Sequence, residues 1–153
     1  MKVYTLESQT VLNTSIDKAW EYFSRPENLN EITPPDMQFR ILTDVSGKKM
    51  HAGMIIHYRI QPAPFMSFAW TTEISHSVDK QYFVDEQRFG PYAFWHHQHI
   101  FEDKGTHVLM TDIVNYALPM GFLGRIAHAI WVKNKLSGIF DYRTQVINRV
   151  FPK

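Results

Sequence analysis

Cysteine is absent from the 153-residue chain, which excludes disulfides, thiolate metal centres and a cysteine nucleophile. Long apolar runs are missing too. None approaches the length that spans a bilayer, and Met1 to Thr10 lacks the basic-then-apolar build of a signal peptide. The expectation is a cytoplasmic protein with no stable membrane insertion. Net charge is small, +1 with histidine neutral, so the molecule as a whole has no field that would gather nucleic acid. There is no glycine-rich phosphate loop, no GxSxG, no HExxH and no basic-aromatic array for single-stranded nucleic acid. Internal repeats and low-complexity stretches are likewise missing.

What is abundant is aromatic bulk: Phe 11, Tyr 7 and Trp 4, more than a minimal core needs. The length fits a single domain, 1–153, with one core. Charge is unevenly placed. Beyond residue 120, Arg125, Lys133, Lys135, Arg143, Arg149 and Lys153 face only Asp141. Two readings follow for this basic segment: a solvated helix face, or contact with an anionic lipid or acidic partner.

Hydrophobic periodicity divides the chain. Val3 to Leu12 reads as a first strand. Thr14 followed by Asp17 resembles a capping box, and Ile16, Ala19, Trp20 and Phe23 form one apolar stripe, so a helix is expected over about 15–24. Pro26 opens a second over about 26–32, and Pro34-Pro35 stops it. From Gln38 to Leu118 alternating segments are separated by turn signals at Gly47-Lys48-Lys49, Pro62 to Pro64, Asp79-Lys80, Gly90-Pro91 and Asp103-Lys104-Gly105. Consecutive strands joined by short turns predict an antiparallel meander. After Pro119, Phe122, Ile126, Ile130, Phe140, Ile147 and Val150 fall on one broad stripe, a helix of about 43 Å at the usual rise. Gly138 inside it reads either as close packing or a bend, or as room for a ligand.

Particular residues carry a resemblance. Asp17-Lys18-Ala19-Trp20, Tyr22-Phe23-Ser24, Pro26-Glu27-Asn28-Leu29 and Pro34-Pro35 resemble the opening helices of the START and Bet v 1-like superfamily, also called SRPBCC or polyketide cyclase-like. Phe83-x-Asp85-x-Gln87, Gly90-Pro91-Tyr92, Trp95-x-His97-x-His99-x-Phe101 and Thr111-Asp112-x-Val114-x-Tyr116-x-Leu118-Pro119 resemble a bacterial branch of it. The likeness covers essentially the whole chain. It implies an α+β helix-grip fold: a strongly curved antiparallel sheet of about seven strands around a long C-terminal helix, with two short helices after the first strand. Members of that branch stand alone or are attached to nucleotide-sugar epimerase-like proteins, so a homodimer and an epimerase-like partner protein are the candidate protein partners.

Side chains on a strand alternate between faces, and the richer apolar set should face the helix. That rule puts Met54, Ile56, Tyr58, Ile60, Phe68, Trp70, Thr72, Ile74, Phe83, Trp95, Phe101, Val108, Met110, Val114 and Tyr116 inward. The same parity brings Asp85, Gln87, His97, His99 and Asp112 with them, and sends His96 outward. Ionisable groups on an apolar face must satisfy one another or line a wetted cavity. Four readings fit: a buried network, polar anchors in a ligand pocket, a metal site built on His97-x-His99 with Asp85 or Asp112, or acid–base catalysis by a His–Asp pair.

The leading expectation is a carrier or sensor that binds a small apolar or amphipathic ligand, such as a lipid, isoprenoid or polyketide-like molecule, with no cofactor and no metal. The expected ligand contacts are Tyr58, Trp70, Thr72, Phe83, Asp85, Gln87, Trp95, His97, His99, Asp112, Tyr116, Ile130 and Phe140. The alternative is a cyclase- or hydrolase-type enzyme, with His97, His99 and Asp112 as candidate catalytic groups. A third reading is an interaction domain whose interior is filled by its own aromatic side chains.

Overall fold

Period-two patterning builds seven strands, and the computed structural model, which describes residues 1–153, joins them into one antiparallel sheet. They are β1 (Tyr4–Leu12), β2 (Arg40–Ile41), β3 (Ile55–Ala63), β4 (Met66–Val78), β5 (Tyr82–Phe89), β6 (Phe94–Asp103) and β7 (Val108–Ala117). Their order across the sheet is β1-β7-β6-β5-β4-β3-β2, so the meander is continuous except that β1 returns to pair with β7. Register shifts interrupt the ladder between Ile60 and Ala63, and twice along β4 against β5. Extra residues of this kind bend a strand, and the first lets Pro62, which has no N–H to give, lie inside β3.

The first helix, α1 (Ile16–Phe23), starts one residue later than the Thr14–Asp17 pairing predicts. Thr14 donates its N–H to Leu12 O at 2.8 Å and so stays in the turn, while Ser15 caps the helix and accepts from Lys18 N. The second predicted helix is a 3₁₀ turn, Pro26–Asn30, followed by another at Pro35–Met37. Helix α1 buries Ala19, Trp20 and Phe23. The Trp20 ring meets Phe83 and Phe101 edge-on, with centroids 6.1 and 5.6 Å away, which closes one end of the concave face with Leu12, Ile56, Ile74, Met110 and Ile147 in the densest core.

The long C-terminal helix crosses that face as α2 (Gly121–Ala127), a π-helical turn His128–Val132, and α3 (Lys133–Val150). Only half of the expected apolar stripe faces the sheet. Phe140 and Ile147 are buried, whereas Phe122, Ile126 and Ile130 are 62 %, 50 % and 72 % exposed. The π turn is the cause: it adds one residue to the helical repeat. The sheet-side row therefore runs Leu123 and Ala127 before the turn, Trp131 and Val132 within it, and Leu136 and Phe140 after it. A side chain at Gly124 would meet Pro119 O at 2.2 Å, so that glycine permits close approach of the 118–119 segment. Gly138 neither packs closely nor makes room for a ligand: it lies on the open surface with nothing within 4 Å of where a Cβ would stand.

Candidate functional site

Between the concave face and the C-terminal helix lies a cavity of about 620 Å³, inside the usual range for small-molecule pockets. Hydrophobic residues make up 23 of the 34 that line it, so the exceptions matter. Lys135 pairs with the exposed Asp36 at 2.6 Å. The other acidic and basic side chains, Asp85, His97, His99 and Arg143, gather in one place.

Register explains the gathering. Asp85 on β5 stands opposite His97 on β6, and His99 stands opposite Asp112 on β7. Asp112 Oδ1 accepts from His97 Nε2 at 2.8 Å and from Arg143 Nη1 at 3.0 Å. Asp85 Oδ2 accepts from His99 Nε2 at 2.8 Å and lies 3.2 Å from His97 Nδ1, and its Oδ1 accepts from the Trp95 indole at 3.1 Å. The Phe83 ring stacks on His99 with centroids 4.1 Å apart, and Phe140 meets His97 edge-on at 5.8 Å. Hydrogen-bonding capacity is left over in this buried place. Asp112 Oδ2 and Arg143 Nε have no partner, and His99 Nδ1 lies 3.0 Å from Asp112 Oδ1 without the alignment of a hydrogen bond.

Charge follows from this geometry. Burial works against ionising Asp85 and Asp112, but the His97 imidazole beside Asp85 and the Arg143 guanidinium beside Asp112 outweigh it, and both carboxyls are held well below their usual range. Burial also opposes a charged His97, yet both its ring nitrogens face carboxylates, and its pKa is raised from the ordinary 6.5. The His97 share of stability is therefore complete below pH about 6.5 and is lost as the pH climbs through the raised folded-state value. The shares of Asp85 and Asp112 are complete above pH about 3.9 and are lost only as the pH falls through their depressed values. Denaturant midpoints are expected to plateau between those limits and decline on the alkaline side, and His97→Gln should remove that decline. A wild-type profile that stays level through the alkaline range would refute the ionised His97.

One ligand atom each from Asp85, His97 and His99 lie within 4.8 Å of one another, close enough to surround an ion. The imidazole nitrogens nevertheless point at carboxylate oxygens at 2.8–3.2 Å, the geometry of shared protons, and a metal would need those nitrogens as lone-pair donors.

Of the residues predicted to contact a ligand, Tyr58, Trp70, Thr72, Phe83, Asp85, Trp95, His97, His99 and Phe140 line the cavity. Four do not. Ile130 is turned to the outside by the π turn. Gln87 has the right parity, but its amide spans the turn after β5, donating to Tyr92 O at 2.7 Å and accepting from Tyr92 N at 3.1 Å. Tyr116 is buried beside the cavity, with its hydroxyl 2.8 Å from His128 Nε2. Asp112 sits behind the wall and holds His97 and Arg143. The sequence reading missed Arg143, which it counted among surface basic residues. Its spacing, three after Phe140 and four before Ile147, places it on the buried stripe.

No family model matches the chain, and no curated protein matches its sequence. Solved structures do resemble it. The major latex-like protein 151 of Panax ginseng superposes with a TM-score of 0.70 at 15% identity, covering 99% of each chain. A protein of Thermus thermophilus gives 0.70 at 10% identity, over 96% of this chain and 99% of that one. Norcoclaurine synthase from Thalictrum flavum, in complex with dopamine and hydroxybenzaldehyde, gives 0.66 at 13% identity, over 99% of this chain and 90% of that one. The chain shares the fold of these structures, in line with the helix-grip architecture that the sequence motifs imply.

Proposed function

We propose that the protein binds a small, mostly apolar molecule with one polar end, seated in the cavity with that end against Asp85, His97, His99 and Arg143. The observation that carries this is the segregation of the lining: apolar walls, and one cluster that both donates and accepts hydrogen bonds. An apolar occupant gains about 25 cal/mol for each Å² it removes from water. The polar cluster would orient it and reject molecules with nothing to offer the unpaired groups. Lipids, isoprenoids and polyketide-like compounds have the required build, which suits a carrier or a sensor. A protein of this fold is known with dopamine and hydroxybenzaldehyde bound, so the architecture accommodates small aromatic molecules.

A second reading is supported by one observation: His97 lines the cavity with carboxylates at both ring nitrogens, an arrangement suited to proton transfer in a cyclase- or hydrolase-type reaction. Native mass spectrometry of protein purified from cells separates these. Binding predicts a retained small mass in one-to-one ratio, lost in Ile139→Trp, which fills the cavity from its helix side. Catalysis predicts a changed mass for an added substrate, abolished in His97→Gln. Protein that carries no ligand and takes up none from a panel of amphipathic compounds would defeat the binding reading.

A further inference from the structure

We propose that the rim of the cavity is a docking surface for the headgroup region of an anionic lipid bilayer. Two apolar projections flank the opening. One is the β3–β4 hairpin, where Met66 lines the cavity and Phe65, at the tip, is fully exposed. The other is the start of the C-terminal helix, where Met120 and Leu123 line the same cavity. The π turn leaves Phe122, Ile126 and Ile130 as an outward ridge at four-residue spacing beside it. Apolar residues so grouped are not the scattered kind that any surface carries.

Phe65 adds an independent sign. Pro64 and Phe65 form the two-residue loop between Ala63 and Met66, and Phe65 has φ 64. That left-handed position suits glycine or asparagine, and a bulky aromatic side chain there is strained. Neither turn chemistry nor packing calls for phenylalanine at this place. An aromatic ring held out at a hairpin tip is, however, well suited to the apolar margin of a membrane interface.

Charge chooses among occupants. From Pro119 to Phe140 there is no acidic residue, while Arg125 and Lys133 are exposed among the apolar ridge residues. The 62–68 hairpin carries no charge at all. A second copy of this chain docked through the same face would bring its own Arg125 and Lys133 against these with no carboxylate between them. A bilayer satisfies both halves of the surface, taking the apolar side chains below the phosphates and the basic ones among them. No helix of the chain is long and apolar enough to cross a membrane, so the contact is one of lying on the surface. Given the ligand reading above, the cavity mouth would then open towards the acyl layer, and an apolar cargo could pass without crossing water.

The test is co-sedimentation of the full chain with phosphatidylcholine vesicles made with and without phosphatidylserine. Binding is expected only with phosphatidylserine, and is expected to fall as salt shortens the range of the charges. Phe65→Ser with Ile130→Ser, and separately Arg125→Glu with Lys133→Glu, should each lower partitioning by about tenfold or more. All four side chains are exposed and none lines the cavity, so thermal melting and ligand retention should match the wild type. Docking and ligand binding therefore fail separately. Wild-type protein that ignores phosphatidylserine vesicles, or a Phe65→Ser, Ile130→Ser variant that binds them undiminished, would overturn the proposal. So would a wild-type dimer in sedimentation velocity that the same two substitutions dissociate, since that assigns the ridge to a second copy.

Discussion

Asp112→Ala is expected to destabilise the fold by about 3–5 kcal/mol, the usual cost of stripping one partner from a buried charge network. Asp112 is 1% exposed, and its Oδ1 is the common acceptor for His97 and Arg143. Without it His97 can shed its proton, but a guanidinium cannot at any pH the fold would survive. The buried Arg143 would keep its charge and lose its only hydrogen-bonded counterion. Glu86→Ala is the control. Glu86 stands half-buried on the outer face of the same sheet, 3.2 Å from Arg88 and 3.8 Å from His96, and ion pairs at the surface contribute about 0–1 kcal/mol. Urea denaturation at neutral pH measures both. Equal midpoints for the two variants would mean that Asp112 does not hold the network. An Asp112→Ala variant that stays stable but no longer retains a ligand would instead make the carboxylate part of the binding anchor.

Why these groups could be found in the sequence, and others could not, has a physical basis. Strand alternation is a strict period of two, and β5, β6 and β7 run without interruption where Asp85, His97, His99 and Asp112 stand, so parity alone put them on one face. Turn residues bounded those strands, and the curved sheet followed from the meander. The C-terminal helix was legible in extent but not in phase. Apolar spacing cannot announce a π turn, and Phe122, Ile126 and Ile130 satisfy the helical repeat while facing outward. Gln87 shows a different limit: its parity was correct, but its amide was claimed by the backbone of the following turn. Arg143 was recoverable from its position on the Phe140–Ile147 row. Counting it with the exposed basic residues hid the one cation that faces the polar cluster from the helix.

A triple replacement, Asp112→Val with His97→Leu and Arg143→Met, separates what the network does for the fold from what it does for a ligand. It removes both partners of the two hydrogen bonds that Asp112 accepts, from His97 and from Arg143, and leaves Asp85 paired with His99 at 2.8 Å. Replacing a whole buried ionic group by apolar side chains of similar size is commonly neutral or stabilising by about 1–4 kcal/mol, because no desolvated charge is left behind. The triple variant is therefore expected to recover all of the stability that Asp112→Ala loses, and to lack the alkaline decline attributed to His97. Two polar groups facing the cavity, those of His97 and Arg143, would be gone. Retention of a polar-ended ligand should then fall by at least about tenfold, the effect of roughly 1.4 kcal/mol, although the cavity persists. If the triple variant is as unstable as Asp112→Ala, the charges themselves hold the fold. If it is stable and retains its ligand unchanged, the polar end is not read by this cluster, and the proposed orientation in the cavity is wrong.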